Sequence, residues 1–464
     1  MLKRSKYIVS QAASGVIMAI MLSSCANSHQ ADSKLSLAAT GNVMPAAEVA
    51  QRYHADQQWW LVYQDDKLNA LLEQALANNI NLKQAALNVN KALYQANILG
   101  ANLVPSFNGS FGASTSQNLK NGGNTNNFSS QLGLSYELDL WKKVSAQADA
   151  KVWEYQATAQ DLAASRLALI NNITDAYFNI AYLNEAITLS NKNLTQYQEI
   201  NRIAAAKYKY GKVSANEATQ AQQNVLSAQN NLLVLQTNRE NLEQVLRNLL
   251  NLKPAEAIAA VTENYTLGVH VPVNLDIPIS VLANRPDLLA AEYRLQSAMR
   301  NLDAQKRSWY PKITLGASLS SASSKAKTMF DIPFLGGSAS ISLPFLDWQT
   351  LKWENKTSEA NFESAKLNFE QTLTTALNEV NTFYRQYQLS GQTLANARQK
   401  NLFDQKNSRY HSARYKYGKS ELKNWLEALN TEHSSAQNVL NQRYEILKYE
   451  NMIYKAMAGR YTPQ

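Results

Sequence analysis

The chain has 464 residues, among them 16 glycines, 10 prolines and a single cysteine. So few breakers with 45% hydrophobic residues point to long regular elements, and a mean hydropathy of −0.37 excludes a multi-span helical membrane protein. At a net charge of +9 no basic cluster with interleaved aromatics points to nucleic acid, 17% charged residues are too few for a charge-driven disordered chain, and one cysteine excludes an intrachain disulfide or a cysteine-rich zinc site.

In chain order the first element is a leader. Lys3, Arg4 and Lys6 form a basic head, and an apolar stretch follows through Ile17-Met18-Ala19-Ile20-Met21-Leu22. It is too short to span a bilayer as a stable helix, and it reads as a secretory signal peptide. Its end, Leu22-Ser23-Ser24-Cys25, resembles a bacterial lipobox, which implies cleavage before Cys25 and acylation of that thiol. Ala26, rather than an aspartate, favours delivery to the outer membrane.

The remainder is written twice. Ala77-Asn78-Asn79-Ile80-Asn81-Leu82 returns as Ala283-Asn284-Arg285-Pro286-Asp287-Leu288, and Ala206-Lys207-Tyr208-Lys209-Tyr210-Gly211-Lys212 as Ala413-Arg414-Tyr415-Lys416-Tyr417-Gly418-Lys419. The offset is about 206 residues in both, far too long for a solenoid, so each half is a whole supersecondary unit. Each half predicts helix, two strands, long helix, turn, long helix. Phe107, Gly109, Phe111 and Ala113 alternate with serines and Asn108; Leu132, Leu134, Tyr136 and Leu138 alternate with Gln131, Gly133, Ser135 and Glu137. Ile313, Leu315, Ala317, Leu319 and Ala339, Ile341, Leu343, Phe345 repeat the pattern. Period two over about eight to eleven residues suits a lipid-facing barrel strand. It would also suit a soluble sandwich with one buried face; the leader favours the barrel. Trp141, Trp309, Tyr310 and Trp348 sit near the strand ends, as interfacial girdles do.

The long helices carry heptads: Ile173, Ile180, Ile187 and Leu194, then Leu235, Leu242 and Leu249 after the turn, with Leu373, Leu377, Val380, Tyr384 and Tyr387 in the second half. Four strands cannot close in lipid, where every backbone group needs a partner. Two copies would give eight strands with a filled interior and three would give twelve with room for a pore; the small inward residues favour the open lumen.

These motifs, with Trp59-Trp60 before Asp66, Leu68, Leu71 and Leu72, with Tyr136-Glu137-Leu138-Asp139-Leu140-Trp141, and with Asn284-Arg285-Pro286-Asp287, resemble the TolC superfamily and within it the OprM/NodT-type outer-membrane lipoproteins. The resemblance implies a mainly α fold with a small membrane β-barrel: an internally duplicated chain whose homotrimer forms a 12-stranded outer-membrane barrel continued by a 12-helix periplasmic barrel. It implies passive efflux with a periplasmic adaptor (membrane fusion) protein and an inner-membrane pump of the resistance-nodulation-division type. The family often has glycine where this chain has Lys142. The expected division is a leader at 1–24, a lipid-anchored linker at 25–55 and a first repeat at 56–252, with strands at about 105–117 and 128–140 and a helical hairpin at about 143–252. A connecting segment at 253–282 and a second repeat at 283–457 follow, the latter with strands at about 311–321 and 338–346 and a hairpin at about 351–457. A tail at 458–464 ends the chain.

Gly211 and Gly418 alone among the glycines separate the paired long helices, and these turns would be the periplasmic tips. The resemblance puts a gate just beyond them. An acidic position nine residues after the glycine is Glu427; the position six after it is Asn424 in the second half and Glu217 in the first; a tyrosine three before it is Tyr415 and Tyr208. Where some members carry an arginine, Ser420 stands. Lys423 lies one helical turn before Glu427, so Lys423, Glu427 and Glu217 of neighbouring copies are expected to trade salt bridges in a ring. Gly211, Val213, Ser214, Gly418 and Ser420 are the expected adaptor contact, since they reach furthest from the outer membrane.

No catalytic constellation, metal centre or cofactor site is expected. The five histidines are scattered, Gly418-Lys419-Ser420 joins two helices and lacks the first glycine of a phosphate loop, and Asp65-Asp66 suits a helix cap. Two other functions compete with the efflux duct. One is the exit channel of a type I protein-secretion system. The other is a trimeric adhesin stalk, which the two separated strand pairs and the helical C-terminus (about 421–458) oppose.

Overall fold

The computed structural model describes residues 43–120, 122–254, 256–258, 266–267, 272–331 and 334–464. The leader and Cys25 lie outside these residues, so the acylation expected there rests on the sequence. The described chain forms two compact units, one of residues 88–159 and 289–371, the other of residues 43–87, 160–288 and 372–464.

The first unit holds a four-stranded antiparallel sheet in the order β2-β3-β4-β5: β2 Ser106–Gln117, β3 Asn124–Leu138, β4 Lys312–Ser323 and β5 Phe334–Ser342. The register aligns the alternation of all four strands. Phe107 faces Leu134, which faces Ala317; Gly109 faces Leu132, which faces Leu319, which faces Leu335; Tyr136, Leu315 and Ala339 form the next row. One face therefore collects the apolar side chains, and the other Ser106, Asn108, Ser135, Gly316, Ser318 and Ser338. A slip of one residue would invert every strand. β3 begins at Asn124 and β5 at Phe334, each four residues before the apolar alternation predicts. Polar Asn124 to Asn127 still pair with Ser114 to Gln117, because ladder hydrogen bonds do not require apolar side chains.

α4 (Lys143–Lys209) starts beside this sheet. The Asp139 carboxylate accepts the backbone N–H groups of Val144 at 2.9 Å and Ser145 at 2.8 Å, and so caps the helix. Between them Lys142 takes a left-handed conformation, φ 56°, at the position where the family's glycine stands. Arg307, the last residue of α6 (Pro286–Arg307), donates to the Lys142 carbonyl at 2.8 Å. α6 lies close against α4 where Ser297 Oγ donates to the Ala150 carbonyl at 2.9 Å. Small residues at 146, 150 and 157, all alanine and buried, permit that approach.

The second unit is built on the Trp59-Trp60 motif. Both rings are buried, packed with Leu68, Leu71 and Leu72 of α2 (Asp66–Asn78), Ile170, Ile173, Tyr177 and Ile180 of α4, Leu246 and Leu250 of α5 (Ala215–Leu250), and Tyr444, Leu447 and Tyr454 of α8 (Leu422–Ala456). Asp65 caps α2 through the N–H groups of Lys67 and Leu68 and accepts the Tyr177 hydroxyl at 3.0 Å. Arg285 of the Asn-Arg-Pro-Asp motif is buried and held by Asp287 at 2.8 Å, Glu379 of α7 (Trp348–Lys416) at 2.6 Å and the Ala456 carbonyl at 3.1 Å.

The linker and tail contribute structure of their own. Residues 46–52 form α1 (Ala46–Arg52), and β1 (Tyr53–Asp56) pairs antiparallel with β6 (Arg460–Pro463), joining the two ends of the described chain. α3 (Ile80–Gly100) is separated from α2 at Asn79, whose side chain accepts from Leu82 N–H and donates to the Leu249 carbonyl, both within 2.9 Å.

Candidate functional site

Two regions carry the chemistry that the sequence points to, one in each unit. In the first unit it is the sheet. Its outer strands β2 and β5 have no further partner among the described residues, so two rows of backbone N–H and C=O groups are open. Phe107, Phe111, Leu335 and Ile341 are each more than 60% exposed on these edge strands. The polar face carries an ion pair, Glu137 to Lys312 at 2.6 Å. Below the strands Trp141 stacks on Tyr310 with centroids 4.9 Å apart, and its indole N–H donates to the Pro311 carbonyl at 2.9 Å. This aromatic pair joins the end of the first repeat's hairpin to the start of the second's.

In the second unit it is the two helix turns. Gly211 (φ 68°) and Gly418 (φ 67°) both adopt the left-handed conformation. Gly211 N–H donates to the Tyr208 carbonyl and Lys212 N–H to that of Lys207, each at 2.9 Å; Gly418 and Lys419 repeat this with Tyr415 and Arg414 at 3.1 and 2.8 Å. Both turns are thus Schellman caps, which need a residue without Cβ strain. Ser214 then caps α5 by accepting Glu217 N–H at 3.3 Å, while Glu421, at the same place before α8, makes no side-chain cap. Val213 and Ser420 are half-buried, and Ser420 Oγ accepts from the Asn424 amide at 3.2 Å.

The gate candidates divide into two groups. Lys423 and Glu427 pair with each other along one helix face at 3.8 Å, both more than 60% exposed. Among the described residues no ion pair joins either to Glu217. Glu217 is turned inward instead, where its charge adds to the upward push that burial gives the Tyr415 phenol. Tyr415 itself is buried against Trp425, 5.5 Å between centroids, with the Lys207 ammonium 3.9 Å above its ring. Tyr208, its counterpart in the first repeat, is half exposed. Equivalent residues of the duplication therefore do different work: Tyr415 belongs to the packing and Tyr208 to the surface.

The core behind the tips is Leu422, Trp425, Leu426 and Leu429 packed on Tyr197, Ile200, Ala204 and Ala221. Its signal was present as spacing of i, i+3, i+4, i+7 in the first turns of α8. Above it is a polar layer that the motif reading passes over. The His433 ring lies 3.0 Å from the Tyr197 hydroxyl and 3.0 Å from the Gln196 side-chain oxygen; Tyr197 bonds Asn430, which donates to Asn224 at 3.2 Å. Burial holds the imidazole down to about 4. Four lysines, Lys209, Lys212, Lys416 and Lys419, project from the two turns beside exposed Tyr210 and Tyr417, and none forms an ion pair among the described residues.

A family model described as outer membrane efflux protein matches this chain twice, over residues 71–252 and 277–459. An uncharacterised protein of Haemophilus influenzae is 44% identical over 416 residues, 89% of this chain and 91% of its own length. "Toxin and drug export protein A" of Aggregatibacter actinomycetemcomitans is 41% identical over 451 residues, 96% of this chain and 97% of its own. The fold is similar to that of the CmeC outer membrane channel of Campylobacter jejuni, with a TM-score of 0.80 over 94% of this chain and 93% of that one at 24% identity.

Proposed function

The chain belongs to the outer membrane efflux protein family, and from that membership we propose that it is the outer-membrane exit duct of a tripartite efflux assembly. The observation that carries this reading is the sheet: four strands of membrane length, one apolar face, one face of small polar residues, and two open edges. Joining β5 of one copy to β2 of the next satisfies the open backbone groups, and three copies give twelve strands, wide enough for a lumen. The helices support the same assembly. Leu226 and Leu233 of α5, one heptad apart, and Leu389 and Phe403 of α7, two heptads apart, are each more than half exposed, as residues that await a neighbouring copy are. The homotrimer continues the barrel into the periplasm as a helical tube, and acylated Cys25 tethers each copy to the membrane.

At the tips, Lys423 and Glu427 face the lumen and constrict it, with Asn424 beside them; Glu217 and Tyr415 hold the tip packing rather than the ring. An exposed pair at 3.8 Å contributes at most about 1 kcal/mol, so a periplasmic adaptor can open the ring at small cost. Gly211, Val213, Ser214, Gly418 and Ser420 shape the turns, and the four unpaired lysines around them receive the adaptor. An inner-membrane pump of the resistance-nodulation-division type supplies the energy, and the chain itself performs no catalytic step.

A second reading has support of its own. The relative at 41% identity is named for export of toxin as well as drug, so the same duct serving a protein-secretion system is the alternative. Cells lacking the chain are the test. Accumulation of fluorescent efflux substrates that the wild-type gene reverses supports the small-solute duct. Unchanged accumulation, with loss of a secreted protein from the medium, supports the alternative.

A further inference from the structure

The apolar face of the sheet is interrupted at its hairpin end. Ser130 of β3 and Ser321 and Ser323 of β4 stand in rows otherwise occupied by Phe111, Ala113 and Phe128. Residues 324–331, which follow β4, fold over these serines. Ser130 Oγ donates to the Met329 carbonyl at 2.5 Å, Ser321 Oγ to that of Thr328 at 3.5 Å, and Ser323 bonds the Thr328 hydroxyl. Phe330 meets Phe111 edge-on at 5.7 Å, on the same face. The segment is thereby fixed against the side of the sheet by its own backbone carbonyls. What it turns outward is Phe330, 64% exposed, with Lys325 and Lys327, also exposed. Neither lysine has a carboxylate within ion-pair distance among the described residues. In the neighbouring hairpin Leu119 and Lys120 repeat the pairing of an exposed apolar side chain with a cation.

We infer that this segment is a lipid-binding clasp for the phosphorylated headgroups of the outer leaflet. The inference rests on the barrel reading above, which makes the apolar face the lipid-facing one and its hairpin end the outer rim. Phe330 lies at the edge of the acyl region, where an aromatic ring is favoured, and Lys325 and Lys327 bond headgroup phosphates just above it. The three serines serve the clasp: their hydroxyls are spent on its Met329 and Thr328 carbonyls and its Thr328 hydroxyl, so no unsatisfied serine hydroxyl meets the acyl chains.

The test uses the purified full-length protein in neutral detergent and measures equilibrium binding of fluorescent bis-phosphorylated lipid A. Wild type is expected to bind it well above its dephosphorylated form. K325Q/K327Q should weaken binding roughly 25-fold, two lysines at about fivefold each, and F330S should weaken both forms alike. K209Q/K419Q should bind as wild type does, and single-channel conductance of K325Q/K327Q should be unchanged. Equal binding by wild type and K325Q/K327Q, or indifference to the phosphates, in a protein that conducts, would overturn the clasp and leave the barrel standing. No membrane insertion and no conductance by wild type would overturn the barrel reading, and the clasp with it.

Discussion

Lys142 shows how a single residue reports on this fold. It holds φ 56° between the last strand of the first hairpin and α4, a conformation that costs an L-residue roughly 1 kcal/mol and glycine almost nothing. Lys142→Gly is expected to stabilise the protein by about 1 kcal/mol, less what glycine adds to the entropy of the unfolded chain; thermal unfolding of the purified protein measures it. His433 gives a pH dependence with a definite sign. The imidazole takes up a proton near 6.5 in the unfolded chain and near 4 in the folded one. Its contribution is therefore complete above about pH 6.5 and is lost as pH falls toward 4, a loss of about 2 kcal/mol after allowance for its partial exposure. Protection factors of the amides around Tyr197, the observed rates divided into the intrinsic ones, should fall over that interval in wild type and stay flat in His433→Gln. Glu427→Ala removes one partner of the exposed pair with Lys423, and a several-fold rise in uptake of a large antibiotic that the outer membrane excludes is the expected result; unchanged uptake would move the constriction elsewhere. Some of this was legible in the sequence. Asp65 as a cap and the two tip glycines follow from residue type alone. The split between Tyr208 and Tyr415 does not, because a local sequence that differs only at Lys207 and Arg414 says nothing about which helix packs against Trp425.

At the scale of elements the strands were the most legible part. Strict alternation identifies the two faces, and the register confirms that they coincide across four strands. Strand starts were not legible, since Asn124 to Asn127 pair through the backbone with no side-chain signature. The faces give an asymmetric prediction. Leu132→Asp, on the apolar face, should destabilise the inserted protein, by less than the about 2–4 kcal/mol that an arginine costs at the membrane midplane, and Ser318→Asp, on the small polar face, by far less still. Urea unfolding from lipid vesicles compares them; equal losses would contradict the assignment of faces. The tip turns give a second prediction. On the adaptor contact proposed above, four lysines that form no ion pair among the described residues meet carboxylates of the adaptor, so adaptor affinity should fall steeply with salt, as exposed charge pairs do. Affinity measured from low to high ionic strength with K212Q/K419Q beside wild type tests this, the variant showing the flatter dependence.

The whole molecule was legible in its duplication, since the family model matches the chain twice. The pairing of β1 with β6 was not, because it joins segments at opposite ends of the chain, too short to show a period. What the fold leaves unfinished is more telling than what it closes. A sheet of four strands whose edges find no partner among the described residues, and long helices with apolar residues exposed at heptad spacing, are what the assembly proposed above would complete. The duct follows from that assembly, and its most direct test is the conductance of the purified full-length protein in a planar bilayer. Current steps of uniform size, abolished by Leu132→Asp, are the predicted result. Protein verified as inserted and trimeric that passes no current, even in Glu427→Ala, would contradict the duct.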